Sequence, residues 1–210
     1  MRVIGGTLGG RSLVTPKGQL TRPTSDRVRE ALFSVLGDVT GVSVLDLYAG
    51  TGALGLEALS RGAAKAVFVE NARATLDALR RNIATLGVQS STFVVSSPVL
   101  RALRSLSTHA PFDLVFVDPP YAKLVEAAEA LVFLVDQGRC SDGACVVLEH
   151  ASRDVAPDLE GLERGATRQY GDTSLTFYSV GTKQPSDALR GNGDFALGSC
   201  DDVSSKATDG

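Results

Sequence analysis

Short unbroken apolar runs alternate along the chain with longer stretches in which apolar residues recur every three or four positions. Val42 to Tyr48 is the first such run, with five apolar residues in seven and no polar alternation, which suits a strand buried on both faces of a parallel sheet. Ala66–Val69, Phe93–Val95, Phe112–Val117 and Ala144–Leu148 repeat the signature and predict four more strands. Val28, Ala31, Leu32 and Val35 form a helical stripe, predicting a helix capped by Thr24 or Ser25 and closed at Gly37, with Arg27, Arg29 and Glu30 off the stripe. Ala53 to Arg61 are good helix formers stopped by Gly62, and Leu76, Leu79, Ile83 and Leu86 line a helix ending at Gly87. Pro98 starts a helix through about Leu106, and Ala122 to Val135 is helical with Leu124, Ala128, Leu131 and Val135 inward. Leu162–Gly171 and Thr173–Val180 form a closing strand pair joined at the hairpin signal Gly171-Asp172. The expected fold is α/β: a doubly wound, mostly parallel, seven-stranded Rossmann-like sheet with helices on both faces.

The ends read differently. Residues 1–24 hold Gly5-Gly6 and Gly9-Gly10 between short apolar pieces, then Pro16, Gly18 and Pro23, and predict a hairpin or irregular arm. A flap covering a core edge explains that pattern as well as a binding arm does. Residues 25–181 form the main domain. From Thr182 onward Gly, Ser and Asp dominate, and 182–210 is expected to be a disordered acidic tail.

Composition narrows the class. At 210 residues, with 43% hydrophobic and 21% charged content, one globular domain with a substantial core is expected. No apolar run approaches the roughly 20 residues of a membrane helix. Cys140, Cys145 and Cys200 lack zinc-ligand spacing and an even count, so no metal site or disulfide framework is expected, and a reduced, cytoplasmic setting fits. The net charge of −3 argues against nonspecific nucleic-acid binding. The charge is uneven, however: residues 1–30 carry six basic residues against Asp26 and Glu30, a local +4, leaving −7 elsewhere. A basic arm on an acidic body is compatible with a nucleic-acid contact, with Arg2, Arg11, Arg22, Arg27 and Arg29 as candidates, though a solvated face explains Arg27 and Arg29 as well. Arg27 or Arg29 can alternatively pair with Glu30 or hold a ligand carboxylate.

The glycine loop after the first strand carries the first chemical signal. Gly50-Thr51-Gly52-Ala53-Leu54-Gly55 matches G-x-G-x-x-G between a strand and a helix, and Glu70, twenty residues after Gly50, is placed to take the hydroxyls of a ribose. A nicotinamide dinucleotide and S-adenosylmethionine (AdoMet) both fit. Asp46 favours AdoMet: at the strand end it can face the ammonium of the methionine moiety, whereas it would repel a pyrophosphate.

Asp118-Pro119-Pro120-Tyr121 is the second signal. In a sheet of order 3-2-1-4-5, strand four lies about 5 Å from strand one, which puts Asp118 beside the glycine loop at the switch point. The prolines stiffen the backbone and aim the Pro119 carbonyl outward. A carboxylate, a carbonyl and an aromatic ring together suit a planar base bearing an exocyclic amine. The two acceptors hold the amine hydrogens and free its lone pair, while stacking on Tyr121 is worth roughly 1–3 kcal/mol.

These motifs resemble the class I AdoMet-dependent amino-methyltransferases. Val3-Ile4-Gly5-Gly6, Arg22-Pro23-Thr24 with Asp26 to Glu30, and Gly52 to Arg61 resemble more narrowly the RsmD family, which methylates the N2 amine of one guanine in 16S ribosomal RNA. The likeness runs from Arg2 to about Val180. It implies AdoMet as cofactor, held by Asp46, Tyr48, Gly50, Thr51, Gly52 and Glu70, no metal, and catalysis by Asp118, Pro119, Pro120 and Tyr121. It also implies ribosomal RNA in a small-subunit particle as partner, a monomer, no membrane, and closure of the Arg22 to Glu30 segment over the cofactor. One departure is local: where the family offers a short polar or acidic residue toward the adenine, this chain has Ser96-Ser97-Pro98, and Ser97 or a backbone group must serve instead. Two other activities remain open on the residues. An adenine-N6 methyltransferase shares Asp-Pro-Pro-Tyr, but the chain has no room for an added recognition domain. A nicotinamide-dependent oxidoreductase fits the glycines but leaves Asp118 to Tyr121 unexplained.

Overall fold

The computed structural model describes residues 1–16 and 26–181. The candidate caps Thr24 and Ser25, the candidate RNA contact Arg22 and the tail 182–210 lie outside the described residues.

Seven strands form one sheet of order β3-β2-β1-β4-β5-β7-β6. β1 (Ser43–Leu47), β2 (Lys65–Glu70), β3 (Thr92–Ser96), β4 (Phe112–Val117) and β5 (Cys140–Ala151) run parallel, and the hairpin of β6 (Leu162–Tyr170) and β7 (Thr173–Val180) extends the sheet, with β7 antiparallel to both β5 and β6. The central strand β1 is buried throughout, as its unbroken apolar run predicts.

Strand alternation divides the core into two layers. Val44, Phe68, Leu114, Phe116 and Val147 face α1 (Asp26–Leu36), α2 (Ala53–Ser60) and α3 (Arg73–Leu86). Leu45, Leu47, Val67, Val115 and Leu148 face α4 (Val99–Ala102) and α5 (Leu124–Asp136). By the same period of two, Asp46 and Glu70 fall on the α1–α3 face, and Asp118 and Glu149 continue that parity beyond Phe116 and Val147.

Two helix stripes differ from the periodic reading. In α5 the buried line is Ala127, Ala130, Leu131 and Leu134, one step round from the expected one, and Leu124, Ala128 and Val135 sit half-buried on its flank. In α1 the buried residues are Val28, Arg29, Leu32 and Phe33, so a cation occupies a place that the pattern assigned to solvent. The helix predicted from Pro98 to Leu106 is a single α-turn followed by a 3-10 segment, Leu103–Thr108.

Residues 1–16 double back on themselves. Arg2 and Ser12 form an isolated antiparallel bridge, with Gly10 N–H donating to the Val3 carbonyl at 2.9 Å and Leu13 N–H to Met1 at 3.0 Å. Val3 and Leu13 are buried in the same cluster as α1 and α2. The loop is fixed to α2 by Glu57, a wholly buried carboxylate that accepts from Ile4 N–H at 2.7 Å, Gly5 N–H at 2.8 Å and Arg61 Nε at 2.8 Å. Ser60 adds bonds to Gly5 and to Leu8 N–H, and Asn82 of α3 receives Val14 N–H at 2.7 Å.

Candidate active site

Parallel strands end together, so the carboxyl edge of the sheet gathers side chains distant in sequence. Leu47 pairs with Val69 on one side and Val117 on the other, and Val117 pairs with Leu148. The next residues out, Glu70, Asp118 and Glu149, therefore stand in a row on neighbouring strands, with Asp46 two residues below the level of Tyr48. All four acids line a single cavity of about 480 Å³, together with Tyr48, Gly50, Thr51, Ser97, Pro119 and Pro120.

The glycine loop is shaped by two of these acids. Asp46 Oδ2 accepts Gly55 N–H at 3.0 Å, and Glu70 Oε2 accepts Gly50 N–H at 2.7 Å. Glu70 Oε1 takes Asn71 and Ala72 N–H, both at 2.7 Å, so this carboxylate is fixed on three donors and keeps acceptor capacity toward the cavity. Gly52 has φ +83 and lies beneath the loop, outside the cavity lining, where an added Cβ would sit 2.4 Å from Leu79 Cδ1. It is a packing position that lets the turn close on the core.

Tyr48 is the sole non-glycine residue with positive φ among the described residues, at 59°. That twist ends β1 and sends the ring across to the α4–α5 layer, where its hydroxyl donates to Glu126 at 3.1 Å. Burial, with the Glu126 charge, pushes its phenol well up, so it stays neutral.

Crowding four acids beside one another changes their protonation. Burial pushes the Asp46 carboxyl up to about 7, with a smaller push from Glu70 and opposition from the Gly55 N–H. Asp118 is raised well above the usual carboxylate range by burial and by the charges of Glu149 and Asp46. Such a cavity stores unfavourable negative charge and favours a ligand carrying positive charge.

Two cationic side chains enter the lining. Lys123, half-exposed, is engaged with Glu126 at 3.1 Å. Arg29 is fully buried; its Nη2 donates to Asp26 Oδ1 at 2.9 Å and to the Arg2 carbonyl, while Nε and Nη1 have no acceptor among the described residues. This corrects the expectation that Arg29 contacts RNA: its position on the buried face of α1 turns it away from any macromolecule. Arg2, Arg11 and Arg27 are exposed, with Arg2 3.6 Å from Asp26 and Arg11 donating to the Leu86 carbonyl at 3.5 Å. For Tyr121 the backbone alone is described, as the start of a 3-10 turn.

The pattern-based reading overlooked Glu57, Asn82 and Glu149. Glu57 had an available signal: it is the one charged residue of ALGLEALS, an otherwise apolar or small helix that can only be buried all round. Glu149 had none, because its place depends on the register of β5 against β4.

A parallel sheet ending in an antiparallel hairpin, a glycine loop after β1, an acid closing β2 and an acid-lined cavity at the switch point define an AdoMet-dependent methyltransferase. The chain belongs to the family described as Conserved hypothetical protein 95, whose model matches residues 1–179. It is 44% identical over 161 residues to the ribosomal RNA small subunit methyltransferase D of Escherichia coli K12, an alignment spanning 76% of this chain and 79% of that protein. The solved structure of yhhF from Escherichia coli superposes with a TM-score of 0.74 at 36% identity, covering 87% of this chain and 99% of that one. A hypothetical protein of Thermus thermophilus superposes with a TM-score of 0.70 at 32% identity, covering 84% and 98% respectively.

Proposed function

We propose that this protein transfers a methyl group from AdoMet to the exocyclic N2 amine of a guanine in small-subunit ribosomal RNA, in the cytoplasm. The observation that carries the cofactor half is the acid-lined cavity: Asp46 and Asp118, both pushed up by burial and neighbouring acids, favour a cationic ligand and disfavour a pyrophosphate. The substrate half is supported by the name of the Escherichia coli relative and by Asp118, Pro119 and Pro120 in the lining of the cavity.

Bound AdoMet supplies an electrophilic methyl group on a sulfonium. Glu70, held on three backbone N–H groups, takes the ribose hydroxyls, and Asp46 takes the ammonium. Gly50 and Thr51 bring backbone against the ligand, and Ser97 stands toward the adenine. Asp118 and the Pro119 carbonyl accept the two amine hydrogens of the guanine, and Tyr121 stacks on its ring. Fixing the base plane and freeing the amine lone pair is mainly a positioning contribution. Once the amine is alkylated it must lose a proton, and Asp118, made basic by burial and by the charges of Glu149 and Asp46, accepts it at a carboxylate oxygen.

The target base must be unstacked to reach this depth. Arg2, Arg11 and Arg27, exposed on the arm and α1, hold the flanking phosphates. The protein acts as a monomer on an assembled small-subunit particle.

Nucleoside mass spectrometry of small-subunit RNA and particles treated with purified protein and AdoMet tests this reading. N2-methylguanosine is expected at one site. Appearance of N6-methyladenosine instead would favour the adenine alternative, and no methylated product on either substrate would overturn the reading.

A further inference from the structure

We infer that Arg29 is the receptor for the carboxylate of the methionine moiety, an assignment that rests on the AdoMet reading and extends it. The first observation is location: Arg29 is fully buried and lines the acid-rich cavity. The second is its bonding. Nη2 is spent on Asp26 and the Arg2 carbonyl, whereas Nε and Nη1 are buried without an acceptor among the described residues. A guanidinium stays charged and presents five N–H donors, so donors left dry beside a cavity point to an anionic ligand group.

The glycine N–H groups of the loop are already engaged. Gly50 and Gly55 N–H are taken by Glu70 and Asp46, and Gly52 N–H by the Ala49 carbonyl at 2.7 Å. The glycine loop therefore offers less to an anion than its sequence suggests, because its own acids occupy it. Lys123 is half-exposed and paired with Glu126. Every other charged side chain of the lining is an acid: Asp46, Glu70, Asp118 and Glu149. A zwitterionic amino-acid end matches the charge of these side chains with its ammonium to Asp46 and its carboxylate to Arg29, the cation with buried donors to spare.

A purely structural role is the competing account, since Arg29 also ties the Arg2 carbonyl to Asp26. That role uses Nη2 alone and leaves the other two nitrogens unexplained. The two accounts separate on ligand selectivity rather than on stability.

The experiment is calorimetric titration with S-adenosylhomocysteine and with its methyl ester, which keeps the ammonium and the nucleoside but removes the negative charge. The wild-type protein should bind the free acid at least about tenfold more tightly, as expected for a charge-assisted contact. Arg29→Gln should lower affinity for the acid to within about twofold of the ester while leaving the ester where it was. Arg29→Lys, which keeps the charge, should retain a reduced preference for the acid and serves as the reporter if the glutamine variant does not fold. Equal wild-type affinity for acid and ester, equal loss of both in Arg29→Gln, or no preference in Arg29→Lys would each overturn the assignment. Wild-type protein that binds neither ligand would overturn the AdoMet reading itself, and the Arg29 assignment with it.

Discussion

Glu57→Ala is expected to be the most destabilising single change outside the catalytic loop. The carboxylate is fully buried and satisfies three donors at once: Ile4 N–H at 2.7 Å, Gly5 N–H at 2.8 Å and Arg61 Nε at 2.8 Å. Its removal leaves two backbone donors and a guanidinium without their acceptor, and Arg61 is held over the Phe33 ring with its Cζ 4.9 Å from the centroid. Breaking a buried ion pair from one side costs about 3–5 kcal/mol. For a domain of this size each kcal/mol lowers the melting temperature by about 2–4 °C, so a fall on the order of 10 °C is expected. Glu57→Gln should lie between, because it keeps the volume but opposes an amide N–H₂ to existing donors. The arm should loosen first. Hydrogen exchange at Val3, Gly10 and Leu13, whose N–H groups bond to Arg11, Val3 and Met1, reports on it directly. Calorimetric melting alongside that exchange is the assay, with the exposed Glu30→Ala as control. A Glu57→Ala protein that melts within about 2 °C of wild type, with unchanged arm protection, would refute the idea that this carboxylate fastens the arm.

Three further outcomes follow from the cavity and the arm. Asp46 sits at about 7 in the ligand-free protein, and a cationic partner stabilises its ionised form, so AdoMet affinity should rise as the pH goes from about 5.5 to 7.5; calorimetry across that range, with Asp46→Asn flattening the slope, checks it. The same raised pKa makes Asp46 favour folding most below its unfolded value near 4, a contribution lost as pH rises through about 7, so the ligand-free melting temperature should fall over that window more steeply than in Asp46→Asn. Replacing Arg11 and Arg27 together by Glu should weaken RNA binding and make its salt dependence shallower by about one to two counterions, with S-adenosylhomocysteine affinity unchanged; an unaltered salt titration would mean that RNA is gripped elsewhere.

Much of the fold was legible because its strands are unbroken apolar runs and its helices end at glycines. Val42–Tyr48 against Ser43–Leu47, and Leu76–Leu86 followed by Gly87, match the structure closely because burial on both faces, or along one stripe, writes itself into spacing. Asp46, Glu70 and Asp118 were placed correctly at the carboxyl edge by the topology they imply. Arg29 was misplaced because periodicity assigns charge to solvent, and a buried cation shows itself only through Asp26, Arg2 and the cavity beside it. Glu149 escaped for a related reason, since its place depends on strand register, and for Glu57 the apolar helix signalled burial but not the partners, because the arm returns to α2 across some fifty residues, as in the Ile4–Glu57 bond.

The central claim is a division of labour in one cavity, with Asp46 and Glu70 on the cofactor and Asp118 on the base. Asp118→Ala separates the two halves most directly, through single-turnover methyl transfer to small-subunit particles measured beside S-adenosylhomocysteine affinity. The account predicts a rate loss of at least about a hundredfold, as for removal of a general base, with affinity within about threefold of wild type. A variant that keeps more than about a tenth of the wild-type rate, or one that loses cofactor binding in proportion to its rate, would contradict it.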